Sequence, residues 1–340
     1  MRRRLLVAGL MATIISPLMV VGVSGAATQT TPVLAAPPAS GTPATQETDV
    51  TTGSPESASS LGVTVPPEPP QGVNLTTLSD SQLAEYGLPP RPASNSSSYS
   101  GWEQALSQAS AYTAPSFAST DVSNSTQLYS SNWSGYQNYS GPFYQAQGGW
   151  TIPNIYNGGN NYRYSSSWVG LGNGGSNSDP ITQAGFEVDT YPNGGYNIYP
   201  WWEYYSPSNT CCSNEITSFT VSAHDSVFVE VWIDGSDTGF YVEDVTSGKY
   251  ADFLAGGHCT CSTAEVIEER PTVSGSLPLM TILGATSFSN AASETSSGGQ
   301  WMGNAANYEY TMYNPGDGLV LAYPSTISNG NFTVTRANED

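Results

Sequence analysis

Three glutamates fall within five positions of the stretch TAEVIEERP, residues 263–271: Glu265, Glu268 and Glu269. Only 11% of the 340 residues are charged, so carboxylates are concentrated here. The segment has the composition of a strand. Strand alternation sets Glu265, Ile267 and Glu269 on one face and Val266 and Glu268 on the other. If one face is buried, at least one of these acids loses water. Desolvation favours the neutral form, which is how a glutamate is tuned to move protons. The competing reading is a solvated outer face. A second feature is YPWWEYY, residues 199–205. Alternation puts Tyr199, Trp201, Glu203 and Tyr205 on one side, and Pro200, Trp202 and Tyr204 on the other. Aromatic side chains in a row with an acid suit a ligand groove, because they give large contact area at low entropic cost.

Other chemistries are poorly supplied. A Ser-His-Asp triad needs histidine, and only His224 and His258 exist, neither with a G-x-S-x-G partner. The glycine-rich run GLGNGGSN, residues 170–177, lacks the lysine and helix of a phosphate cradle. The four cysteines, Cys211, Cys212, Cys259 and Cys261, form two clusters. An even number in an exported chain points to disulfides, and bridges from one cluster to the other are sterically reasonable. The histidine and cysteine spacing matches no zinc pattern, so neither metal nor cofactor is expected.

The elements that must position these residues occupy the second part of the chain. Lys and Arg number 8 against 28 Asp and Glu, a net charge of −20. That excludes nucleic acid as a partner and disfavours an anionic membrane surface. It suits an exported protein working in acid, where most carboxylates are neutral and self-repulsion is small. Arg2, Arg3 and Arg4 precede an apolar run from Leu5 to Val23 and a small-residue site, the pattern of a signal peptide over 1–26. Residues 27–127 read as a pro-segment. They begin in Pro, Thr, Ser and Ala, and then carry a short helix with Ser79 and Gln82 as a capping box. A second helix is predicted around Gly101 to Ala111. From 128 to 340 short alternating runs are separated by Gly, Asn, Pro and Ser clusters, which predicts an all-β antiparallel sandwich or jelly roll. In SVFVEVWID, Phe228, Glu230 and Trp232 face away from Val227, Val229 and Val231.

Taken in order, several segments resemble the glutamic peptidases, or eqolisins. They are SSNWSGY (130–136), GGWTIP (148–153), SSWVGL (166–171), ITQAGFE (181–187), WWEYYSP (201–207) and TAEVIEERP. The resemblance implies an exported acid endopeptidase with two large sheets, polypeptide substrates and a Gln–Glu pair activating a water, without covalent intermediate. It assigns the pair to Gln183 and Glu269. Trp168, Trp201, Glu203 and Tyr205 become cleft residues, and Glu265 a same-face neighbour of Glu269. LSDSQLAEYGLPPRP, residues 78–92, resembles the pro-segment of bacterial members. That segment is expected to inhibit by covering the cleft until acid weakens it, and to be removed near Thr126 to Tyr129. A monomer is expected. Gly172, Val266, Glu268 and Tyr199 depart from the family's pattern. Two alternatives use the same residues. One is a jelly-roll glycoside hydrolase or carbohydrate-binding module employing Glu203 and Glu269. The other is a non-catalytic peptide-binding sandwich. A glycosidase has no use for Gln183.

Overall fold

The aromatic and β-branched runs pair into two antiparallel sheets. The computed structural model describes residues 45–46, 55–58, 61–119, 122–123, 131–172, 180–206, 213–303 and 307–339. The main strands are β1 (Trp133–Asn138), β2 (Gln145–Thr151), β3 (Arg163–Gly172), β4 (Ile181–Thr190), β5 (Gly195–Tyr205) and β6 (Ser226–Asp234). They continue with β7 (Asp237–Asp244), β8 (Lys249–Gly256), β9 (Thr263–Glu269), β10 (Thr286–Thr295) and β11 (Asn307–Tyr310). In the front sheet β5, β4, β3, β9, β1 and β11 lie side by side. In the back sheet β10, β2, β6, β7 and β8 are consecutive neighbours. The expected all-β sandwich is what forms.

Alternation fixes which faces meet. Val169, Leu171, Ala184, Phe186, Val188, Trp202 and Val266 of the front sheet pack on Trp150, Val229, Val231, Phe240, Val242 and Phe253 of the back sheet. The opposite front-sheet face gathers a second cluster of Trp133, Trp168, Ile181, Tyr199, Trp201 and Ile267. Two predicted features of β6 and β9 hold: Phe228 and Trp232 leave the valine face, and Glu268 lies opposite Glu265 and Glu269. Between β5 and β6, among the described residues, a short strand forms at Asn214–Ile216. Strand β8 was not anticipated. It is buried on both faces along Tyr250–Phe253, so it lacks clean polar alternation.

Both expected helices form, as α1 (Asp80–Glu85) and α2 (Tyr99–Gln108). Ser79 caps α1 in a reciprocal box with Gln82, which satisfies two otherwise orphan amides. The expected cross-cluster disulfides do not include the C-x-C pair, because Cys259 is bonded to Cys261. The chain turns left-handed at Cys261 (φ 52°), bringing the two Cα atoms to 4.9 Å, within disulfide reach. Cys211 and Cys212, and the predicted signal peptide and processing site, lie outside the described residues. Ala35–Asp340 is one compact unit, so the described part of the leader and the sandwich share it.

Candidate active site

Strand register decides which side chains can work together. Gln183 on β4 stands opposite Glu203 on β5 and opposite Gly170 on β3. Gly170 in turn stands opposite Glu265 on β9, and Glu265 opposite Gln137 on β1. One row therefore crosses five strands: Glu203, Gln183, Gly170, Glu265, Gln137. Side chains in this row point away from the inter-sheet core, on the face of the tryptophan cluster. With strands about 4.8 Å apart, the Cα atoms of Gln183 and Glu265 are about 10 Å apart.

Gly170, between them, lets the Trp168 ring and Gln183 close over its backbone. A Cβ there would lie 3.1 Å from Gln183 Cβ and 2.9 Å from Trp168 Cζ3. Gln183 Nε2 donates to Glu203 Oε2 at 2.7 Å. Gln137 Nε2 donates to Glu265 Oε1 at 2.8 Å, and Tyr310 Oη donates to Gln137 Oε1 at 2.9 Å. The tyrosine thus fixes which end of the Gln137 amide meets the carboxylate. Gln183 Oε1 and Glu265 Oε2 are buried and accept no hydrogen bond. Two open acceptors thus stand in one row, on the strands either side of Gly170.

The resemblance to the family puts the acid at Glu269, and the register does not bring that residue to Gln183. Glu269 stands opposite Ser166, which stands opposite Glu187. It is four residues further along the strand than Glu265, or about 13 Å. Two side chains hold its carboxylate. Trp168 Nε1 donates to Glu269 Oε2 at 2.7 Å, and Asn132 Nδ2 donates to Oε1 at 3.0 Å. The indole spans from that carboxylate to Gly170, so Glu269 orients the ring whose far edge covers that glycine. Trp168, Trp201, Glu203, Tyr205 and Glu265 all lie on this face, as expected. Trp201 Nε1 donates to Ser166 Oγ at 2.9 Å.

Sequence reading passed over Gln137, Tyr310, Glu187 and Asp189. Period two from Gln183 reaches Glu187 and Asp189, and from Trp133 reaches Gln137. That signal was available. Nothing in the sequence announces Tyr310, which arrives from a distant strand.

Burial dominates the electrostatics. It pushes Glu265 up to about 7, against hydrogen bonds from Thr263 and Gln137 that pull it down. It pushes Glu269 up to about 8, against the bond from Trp168. Glu268 faces the other way, where Ser167 Oγ donates to it at 2.5 Å, and burial lifts it to about 7. Asp189 rises to about 8 and Glu187 is raised well above the usual carboxylate range, both by burial first. Tyr199 Oη donates to Asp189 Oδ2 at 3.3 Å. Among the described residues no group of three His, Cys, Asp or Glu side chains could hold a metal ion.

The peptidase A4 family pattern matches residues 131–336. The chain belongs to that family and is a glutamic-type peptidase. It is 29% identical to aspergillopepsin-2 of Aspergillus niger over 230 residues, covering 61% of this chain and 78% of that protein. Its fold is similar to that of scytalido-glutamic peptidase, solved with a transition state analog inhibitor. That match has a TM-score of 0.51 and 17% identity, and covers 61% of this chain and 98% of the other.

Proposed function

We propose that this endopeptidase is exported and works in acid, with Gln183 and Glu265 as its reacting pair. The observation that carries the pairing is the shared row, with two open acceptors on either side of Gly170. A water bridging Gln183 Oε1 and Glu265 Oε2 would be held for attack. Glu265, as carboxylate, takes one proton from that water as its oxygen bonds to the peptide carbonyl carbon. The carbonyl becomes a tetrahedral oxyanion, to which Gln183 Nε2 donates once it turns from Glu203. Glu265 then gives the proton to the leaving nitrogen, and the C–N bond breaks. Trp201, Tyr205 and Trp168 would flank an extended peptide laid along the sheet.

Acid function is supported by the composition and by the number of buried acids that are stable when protonated. Export is supported by the arginine-led apolar N-terminus. Denatured casein should be cleaved at about pH 4 with pepstatin present. Gln183→Ala and Glu265→Gln should each lower kcat about 10²–10³-fold or more, the size of losing one aimed donor. Glu269→Gln keeps an acceptor for Trp168 Nε1 and should stay within about tenfold of wild type. If Glu269→Gln is dead and Glu265→Gln active, the assignment reverts to Glu269.

A further inference from the structure

Residues 61–112 of the leader lie on the back sheet, on the face of the sandwich remote from Gln183, whereas Thr45–Gln46 and Phe117–Ser119 pair into the front sheet. On the outer side of the back sheet, Gln147, Glu230, Tyr241 and Asp252 form one row, and Phe228, Glu243 and Tyr250 the next. Leu75, Leu78, Leu83, Leu88, Trp102 and Leu106 pack on Phe228, Trp232, Tyr241 and Tyr250, all buried. The two surfaces are fitted to each other. A Cβ on Gly101 of α2 would stand 2.2 Å from Gln147 Nε2, so the missing side chain lets the helix come this close. A Cβ on Gly87 would stand 3.2 Å from Asp252 Oδ2. Trp102 Nε1 donates to Pro89 O at 3.1 Å, and the Arg91 guanidinium lies 4.8 Å from the Trp102 ring centre. The backbone joins in as well. Val63–Thr64 and Ala111–Tyr112 both pair with β8, and Ser96 Oγ donates to Glu294 of β10.

We propose that residues 61–112 are a lasting outer layer of the sandwich rather than a plug of the cleft, and that they stay bound in acid after the chain is cut between residues 113 and 131. This rests on packing and not on the assignment of the reacting pair. The groups beneath the layer set its response to pH. Glu230, Glu243 and Asp252 are raised well above the usual carboxylate range, in each case by burial first. Their charged and titratable neighbours are Tyr241, Asp244 and Tyr250 on β7 and β8, Glu294 on β10, and Glu68 and Tyr112 of the leader. Groups with raised values stabilise the closed arrangement below their free values and lose that contribution as pH rises through the bound ones. Acid therefore tightens this layer and alkali loosens it, the reverse of the acid release expected from sequence.

The test uses the full chain carrying Gln183→Ala, with a recognition sequence for a site-specific protease inserted after Asn124. The cut protein is run by size exclusion at about pH 4 and about pH 9, and fractions are identified by mass. The two fragments should co-elute at the lower pH and separate at the higher one. Trp102→Ala, or Leu83→Ala should that variant not fold, should move separation to lower pH. Separation at about pH 4 from a sandwich that keeps its near-UV circular dichroism would overturn the proposal. So would an unchanged separation pH in a folded Trp102→Ala protein.

Discussion

Between Gln183 and Glu265 stands Gly170, a residue with no side chain, and the proposed chemistry joins the two residues across it. The carboxylate beside it is held by a short relay, Tyr310 to Gln137 to Glu265. Because the Gln137 bond lowers the Glu265 value against burial, its loss should raise it. Gln137→Leu should therefore move the acid limb of kcat/KM to higher pH while leaving the alkaline limb in place. A pH–rate profile on a peptide substrate checks this, and an unmoved limb would detach Gln137 from the base. Glu265 is 1% exposed, and burial raises it to about 7. Exposure of the row to water weakens the largest cause of that shift and returns the carboxylate form that a base needs.

At the scale of elements, register carries the information. Side-chain alternation within β9 was legible: it separated Glu268 from Glu265 and Glu269. The offset between β4, β3 and β9 was not, since a slide of two residues preserves which face every side chain takes. Two such slides would bring Glu269 instead of Glu265 into the row of Gln183, so alternation alone does not choose between the two ends of AEVIEE. The capping box at Ser79 was legible because it is local. The face on which α1 and α2 dock was not, because it depends on Phe228 and Tyr241, more than a hundred residues away in sequence. Gly185 shows how tightly the front strands are set. A Cβ there would lie 2.3 Å from Ser167 O and 2.6 Å from Trp168 Cβ. Gly185→Val should destabilise by about 1–3 kcal/mol or more through forced strand movement. It should also cost activity, because Trp168 must shift. Urea unfolding and casein turnover on the same preparation would check both.

For the whole molecule, the buried acids form one coherent set. Asp189 and Glu269 titrate at about 8, and Glu265 and Glu268 at about 7, when folded. In an unfolded chain such groups titrate near 4. The folded state holds these protons more tightly, so the stabilisation is complete below about pH 4 and is lost as pH rises through 7 to 8. The net charge of −20 adds repulsion in the same direction. Tm should be more than about 5 °C higher at pH 4 than at pH 8. A flat or reversed Tm profile would contradict the burial of these groups.

The same buried carboxyls make the folded protein a reservoir of hydrogen ions. Near neutrality they go in bound and come out free, so unfolding there acidifies the solution. A calorimetric scan would then read two heats at once, that of the chain and that of the buffer taking up what is released. The apparent enthalpy at pH 6 should differ between a phosphate and an amine buffer, and the slope against buffer ionisation enthalpy counts the protons set free.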